Sequence, residues 1–560
     1  MSFKIWIRRN FLRNLPVKKN LFLVLFIVCI WYFGILRFWL RKSEVPVELN
    51  DEIADEVYDD GVTLPTPINF DEAAFENRIV HFDLKGAAPK PHYFKQLLRL
   101  ISRNGATGIL IEYEDMFPFE NGLKRAKNDE AYTKEELEDI LGFAKELNLT
   151  IIPLIQSFGH LEWILKLPEY RQYRDHDVNS GVVCISNQEA VKNVVEAAFT
   201  EILQFHQKFD VKIVHIGGDE AFNYGKCFPS PETREELAAN YLVNLTKFVR
   251  QTIGSELTRV LIWNDMVDQL WYQNSSSIEK LKKTVELVVW DYGDLGRYDS
   301  YYWEEKGKQG DLPIWGASAF KGADGANKIF VDLKMRQLNN LRWAKAMNES
   351  KHLVTFGGLI LTGWQRYDHF STFCELLPMA IPSLVVNLNV AKGWNASEAI
   401  EQAIHALDCN LDDLENDDPF WRCRSRIAQI YIWANQRLKY FLEEEWPELK
   451  NLHEMKGWFR YYNRKFMFSN YHYLDTLIPR LYSLKDRIAT LKRESDKKIG
   501  SVLIGSTAKE FAFDLFGPIL EQLMAMITEA EAIIKIRSFK KRPFEFDDSV
   551  FAALEKSGWW

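Results

Sequence analysis

The segment from Lys212 to Phe222 reads Lys-Ile-Val-His-Ile-Gly-Gly-Asp-Glu-Ala-Phe. An apolar, strand-like run ends in two glycines, and the adjacent carboxylates Asp219 and Glu220 follow at once. A buried strand exposes its end, so acids placed there sit at the rim of a core. Neighbouring carboxylates push each other's pKa values apart, which suits one to stay ionised while the other carries a proton. That is the equipment of general acid–base chemistry. Successive strand residues point to opposite faces. Both acids can therefore serve one pocket only if the backbone bends, and Gly217 and Gly218 permit the bend. A helix start also favours acids, but it accounts for one carboxylate more easily than for two.

Eight β-rich apolar runs could position such a site: Arg78–Lys85, Gly108–Glu114, Thr150–Gln156, Lys212–Gly218, Arg259–Asp265, Glu286–Gly293, Pro313–Phe320 and Gly358–Arg366. Helix-like segments fill most intervals, among them Lys134–Leu147 and Gln188–Phe205. The alternation predicts an α/β fold, a (β/α)8 TIM barrel, over 75–400. The count of eight, with no G-x-G-x-x-G turn, favours it over an open doubly wound sheet. Barrel enzymes work at the C-terminal strand ends. Strand one ends at His81-Phe82-Asp83-Leu84-Lys85, strand two at Glu112-Tyr113-Glu114-Asp115 and strand three at Gln156-Ser157-Phe158-Gly159-His160. Strands five to eight are expected to end near Trp263, Trp290, Trp315 and Trp364. Four successive tryptophans round one mouth argue for a pocket, because flat apolar rings suit the C–H faces of a pyranose. Carboxylates and His160 suit its hydroxyls. His215, mid-strand, is expected to be structural.

The segments His81-Phe82-Asp83-Leu84-Lys85-Gly86, Gln156-Ser157-Phe158-Gly159-His160-Leu161-Glu162 and His215-Ile216-Gly217-Gly218-Asp219-Glu220 resemble glycoside hydrolase family 20, and are most like its hexosaminidase D branch. Gly-Gly-Asp-Glu also occurs in diguanylate cyclases, but those are much smaller α/β domains. The resemblance implies an exo-acting β-N-acetylhexosaminidase that removes terminal β-linked GlcNAc or GalNAc from glycans, with no metal and no cofactor. The nucleophile in that family is the substrate's own acetamide. It implies Glu220 as general acid and then base, and Asp219 as the ionised partner that orients the acetamide. It implies His160, Glu114 or Asp115, Trp263, Asp265, Trp290 and Trp364 as substrate-binding residues; the strand ends themselves add Trp315 and Lys85 as candidates. Three positions depart from the pattern. Lys85 stands where an arginine is usual, no tyrosine occurs in Trp315-Gly316-Ala317-Ser318-Ala319-Phe320-Lys321, and Arg366 replaces a glutamate, with Asp368 near. The choice between GlcNAc and GalNAc stays open. So do two other readings: a glycan-binding protein on a degenerate barrel, and a retaining glycosidase with Asp265 or Asp291 as partner to Glu220.

Residues 21–40 are apolar except for Arg37, and about 20 such residues cross a bilayer. Six cationic residues precede the run, against three within or just after it. The positive-inside rule therefore makes 1–20 a cytosolic tail, 21–40 an uncleaved signal anchor and 41–74 an acidic stem. The enzyme would be a type II membrane protein with a lumenal domain, by analogy in the Golgi. The net charge of −8 gives no reason to expect nucleic acid. Five cysteines beyond the anchor are an odd number, so one is free or pairs between chains. No C-x-x-C occurs, which argues against a cysteine-based zinc site. Sequons begin at Asn148, Asn244, Asn274, Asn348 and Asn395. Residues 401–560 are expected to be helical and to pack on the barrel or on a second subunit of a homodimer.

Overall fold

The eight apolar runs form strands β1 (Arg78–Asp83), β2 (Gly108–Glu112), β3 (Thr150–Leu154), β4 (Ile213–His215), β5 (Arg259–Trp263), β6 (Glu286–Trp290), β7 (Ile314–Lys321) and β8 (Phe356–Gly363). A computed structural model describes residues 75–546 and 549, apart from 228–232, 255, 272–274, 309–311 and 414–417. The expected tail, anchor and stem over 1–74 lie outside the described residues. Each strand pairs in parallel with the next, and β8 closes onto β1. The period of two is visible in the burial. Val80, Ile109, Ile151, Val214, Val260, Leu287 and Leu359 join the layer under the helices. Their neighbours Ile79, Leu110, Ile152, Ile213, Leu261, Val288 and Ile360 fill the barrel interior. Burying each such side chain contributes roughly 1.5–3 kcal/mol.

Helix Lys134–Glu146 begins at a capping box between Thr133 and Glu136. Helical structure from Gln188 to His206 starts at Asn187, whose side chain caps it, and loosens into a π-helical stretch at Val191–Glu196. An antiparallel hairpin, Arg174–His176 with Asn179–Val183, interrupts the passage from β3 to β4. Its strands are too short to show alternation in the sequence.

Trp315 departs from expectation. It is the second residue of β7, not the last, because the strand continues to Lys321. Its indole is fully buried among the barrel-interior side chains and donates to Glu286 Oε2 at 2.8 Å. Arg259, itself bonded to Glu286 at 2.8 Å, lies over the ring. All three stand at the N-terminal ends of their strands, so Trp315 lies at the base of the barrel and not at its mouth.

The C-terminal region is helical, and it packs on the barrel. Helices Tyr471–Val502 and Gly505–Ile534 lie along each other. Leu477, Leu481, Leu523 and Met526 share a core with Ala87, Phe373, Leu376 and Met379, from the loops after β1 and β8. Gly505–Ile534 is long and apolar enough to cross a membrane by length and composition alone, yet it buries Phe511, Phe516, Leu523 and Ile527 in the protein. Disulfides join Cys184 to Cys227 and Cys409 to Cys423, and Cys374 is a buried thiol.

Trp315→Phe keeps most of the buried ring but loses its hydrogen bond to Glu286. It is expected to lower stability by about 1–3 kcal/mol, read as an earlier urea midpoint; an unchanged midpoint would contradict this placement of the indole.

Candidate active site

After β4 the chain turns sharply. Gly217 and Gly218 take φ +63° and +92°, and a Cβ on Gly217 would collide with Gln156 Oε1. Gly218 N–H donates to that same oxygen at 3.3 Å. Gln156 in turn donates to Glu112 at 3.0 Å. The turn brings Asp219 and Glu220 into one cavity, as the glycine pair led us to expect. Glu220 itself sits at φ +47° and His160 at +51°. Side chains rarely adopt such backbone, and holding it costs about 1–3 kcal/mol per residue.

The cavity measures about 240 Å³ and is lined by Lys85, His160, Asp219, Glu220, Trp263, Trp290, Tyr292, Gly322, Ala323, Trp364, Arg366 and Tyr367. It is smaller than the ~300–1,000 Å³ typical of drug-sized ligands. Asp219 is 11% exposed with Oδ1 unpartnered, whereas Glu220 is 44% exposed. His160 Nε2 lies 3.4 Å from a carboxylate oxygen of each. Burial alone would lower the His160 pKa, but Asp219, Glu220 and Glu162 outweigh it and hold the imidazole well above its usual range. Asp265 stands one layer behind the cavity. Its Oδ2 accepts the Glu220 N–H at 2.8 Å, and its Oδ1 accepts the Trp290 indole N–H at 3.3 Å. Burial, and then the charge on Asp219, push this carboxyl up to about 7.

Three tryptophans form the walls. Trp263 and Trp364 lie 6.1 Å apart, and Trp290 stacks on Tyr292 at 5.5 Å. The Tyr292 hydroxyl accepts from Trp364 Nε1 at 3.0 Å. Beside Trp364, Lys85 is buried, with its ammonium 5.2 Å from that ring's centre. The loop that carries Glu220 is tied to the hairpin. Cys227 is bonded to Cys184, and Asp175 accepts the N–H groups of Gly225 and Lys226 at 2.8 and 3.0 Å.

Seven expected residues therefore line one cavity: Lys85, His160, Asp219, Glu220, Trp263, Trp290 and Trp364. Asp265 supports it from behind, and Glu114 lies beneath, 3.2 Å from the Lys85 ammonium and hydrogen-bonded to His369. Asp115 does not reach the cavity. The turn at Glu114, φ +46°, starts a short 3₁₀ helix, and Asp115 binds Asn128 at 3.0 Å instead. Trp315 is at the base. Tyr292, Tyr367 and the Gly322-Ala323 loop were not anticipated. Tyr292 was findable, since it stands two residues beyond Trp290 and so shares its face. His215 is buried, accepts the Gly217 N–H at 3.0 Å and packs at a tilt against Trp263, ring centres 4.4 Å apart, in keeping with a structural role.

Asp265 ionises with difficulty when folded. Between the unfolded carboxyl pKa of about 3.9 and the folded value of about 7, the folded state binds more protons, so this group lowers stability as pH rises. The melting temperature of Asp265→Asn relative to wild type should climb from about pH 4 to about pH 7 and then level off. A pH-independent difference would contradict the assignment.

Residues 105–301 match the model of the glycosyl hydrolase family 20 catalytic domain. Hexosaminidase D from Bos taurus is 35% identical over 336 residues, which cover 58% of this chain and 95% of that protein. Hexosaminidase D from Homo sapiens is 29% identical over 472 residues, 82% of this chain and 95% of that protein. A chitobiase from Flavobacterium johnsoniae is more distant, with 15% identity, a TM-score of 0.45, and coverage of 82% of this chain and 72% of its own. On its likeness to the hexosaminidase D proteins, the chain belongs to glycosyl hydrolase family 20 and is a glycoside hydrolase, a β-N-acetylhexosaminidase.

Proposed function

We propose that the enzyme is exo-acting and removes terminal β-linked GlcNAc or GalNAc with retention, the substrate's acetamide serving as nucleophile. One observation carries the reading: Asp219 and Glu220 enter the cavity side by side, and among the described residues no other carboxylate lines it. A protein nucleophile would need one there, about 5–5.5 Å from the acid. Asp265 has both oxygens engaged, by Glu220 N–H and by Trp290. Asp291 lines a neighbouring groove instead.

In this reading Glu220, the more exposed acid, protonates the leaving oxygen and later draws a proton from water. Asp219 stays ionised, and its unpartnered Oδ1 orients the acetamide N–H and steadies the positive charge of the ring. His160, between the two carboxylates, keeps them from repelling each other. The Tyr292 hydroxyl holds the acetamide carbonyl, the task left open by the missing tyrosine after β7. Trp263, Trp290 and Trp364 enclose the sugar. Neither step calls for a metal or cofactor.

The anchored, lumenal Golgi enzyme read from residues 1–74 is part of this proposal. Its support is the anchor pattern together with two disulfides, which belong to oxidising compartments. A homodimer is supported by Phe513, Leu520 and Met524, apolar side chains that Gly505–Ile534 leaves exposed.

Glu220→Gln should lose about 10²–10⁴-fold in kcat on aryl β-N-acetylhexosaminides, and Asp219→Asn should also lose heavily. Plain β-glucosides, which lack the acetamide, should be poor substrates. Near-normal rates in both variants, or efficient β-glucoside cleavage, would refute the mechanism. For the location, a membrane-bound chain with glycans at its sequons is expected from secretory cells, and an unglycosylated cytosolic chain would defeat it.

A further inference from the structure

A basic, aromatic patch stands at the far end of the C-terminal helices. Two segments build it, 456–468 and 535–546. Together they hold nine lysines and arginines and one acid, Glu545, in a chain of net charge −8. Asp547 and Asp548, next in sequence, lie outside the described residues. Phe544 stacks on Phe466, ring centres 4.8 Å apart, and Phe539 meets Phe468 edge-on at 5.2 Å. The Arg542 guanidinium lies 5.5 Å from the centre of the Phe468 ring and 5.9 Å from that of Tyr462. These contacts lay the run from Arg537 to Arg542 against the short helix Tyr461–Lys465, and the charges of both segments merge on one surface.

Little in the protein neutralises that surface. Among the described residues Arg464 alone of the nine pairs with a carboxylate, that of Glu529. The nearby Glu531 is bonded to the Tyr482 hydroxyl instead, at 2.7 Å. The other eight cations are exposed. Apolar rings face water among them: Phe539 is 46% exposed, Phe546 65% and Tyr461 71%. An anionic polymer would satisfy the cations but offer the phenyl rings no apolar phase. A bilayer that carries anionic lipid satisfies both, because headgroups attract the cations and rings enter the boundary with the acyl chains. The location also suits a bilayer. Helix Gly505–Ile534 meets the barrel loops at Thr507 and Glu510, and the patch begins just past its other end. At 1.5 Å per residue, about 40 Å separate the patch from those loops. A membrane held at one end leaves the mouth free at the other.

We propose that this patch is a docking surface for anionic membrane, with its lysines and arginines on lipid headgroups and Phe539, Phe546 and Tyr461 in the interface. The inference is independent of the catalytic reading and of the anchor at 21–40. With the anchor, the patch is a second attachment that gives a tethered domain one orientation, favoured by the high effective concentration of a surface already close.

The test uses the full chain with a dye at the patch. Ser538 is exposed between Arg537 and Phe539. Cys374 is buried, and the other described cysteines are in disulfides. Ser538→Cys in a Cys29→Ser background therefore takes one thiol-reactive fluorophore. The protein is combined with vesicles of phosphatidylcholine alone, or with about 30% phosphatidylserine added, each containing a nitroxide lipid that quenches on contact. Quenching is expected on the anionic vesicles, little on the neutral ones, with reversal in about 0.5 M salt. A cation at an anionic surface contributes about fivefold, so Lys540→Glu with Lys541→Glu should lower the docked-to-free ratio about 25-fold or more. Both lysines are exposed and remote from the cavity, so this variant should keep wild-type turnover of a soluble aryl substrate. Phe546→Ser should weaken docking and leave its salt dependence unchanged. Equal quenching on both vesicles would overturn the inference, and so would none on either. Retention on heparin without quenching on anionic vesicles would also overturn it, and would assign the patch to anionic polymers. A failed anchor reads differently: the chain leaves the vesicles at high salt while quenching at low salt persists, and the inference stands.

Discussion

Lys85 places an ammonium where almost no water reaches, 3.3 Å from Asp83, 3.5 Å from Glu112 and 3.2 Å from Glu114. Burial alone would strip its proton, but the carboxylates outweigh burial and hold its pKa well above the usual lysine range. Glu112 is the converse case. Burial would raise its pKa, yet Lys85 and the bonds from His81 and Gln156 keep it well below the usual range. Removing one member of such a network leaves a buried charge uncompensated, at about 3–5 kcal/mol. The network also reaches both walls of the mouth. Through Glu112 it fixes Gln156, which receives the Gly218 N–H ahead of Asp219. Through Asp83 it accepts the N–H of Gln365 at 2.8 Å, one residue before Arg366.

The barrel was legible because its strands are short apolar runs with a strict period of two. Val80 and Ile79 already go to different layers. The acid pair was legible because two glycines and two carboxylates in sequence have few structural uses. Strand ends were harder. Trp263 and Trp290 end their strands, whereas Trp315 opens one, and a tryptophan inside an apolar run does not say which end of it is at the mouth. Asp115 was misplaced because a left-handed residue, Glu114, re-aims everything after it, and no propensity marks an isolated turn of that kind. The seat of the C-terminal helices was not legible, because helical periodicity identifies an apolar face but not the surface it covers.

Strain and charge are concentrated at the same place. Glu114, His160 and Glu220 all hold left-handed backbone, and each lies against a group of opposite charge: Glu114 against Lys85, and His160 against Asp219 and Glu220. Residues in such conformations persist only where their surroundings over-determine them. Here that work is divided. The His160 imidazole bridges two carboxylates, Asp265 holds the Glu220 amide, and the Cys184–Cys227 bond secures the loop beyond it. The result is an acid whose position is set by its backbone and whose side chain remains open to the mouth.

The seating of the last long helix has a consequence for biosynthesis. Thr507 Oγ1 donates to Gly86 O at 3.0 Å, Ile504 N–H donates to Ala88 O at 3.0 Å, and Glu510 meets Arg366. The first two contacts join the earliest barrel loop to segments made more than 400 residues later. A chain that emerges N-terminus first can close its eight strands and bring Asp219 beside Glu220 well before Glu510 leaves the ribosome. Ring closure and the seating of this helix against the loops after β1 and β8 are thus separate events in time.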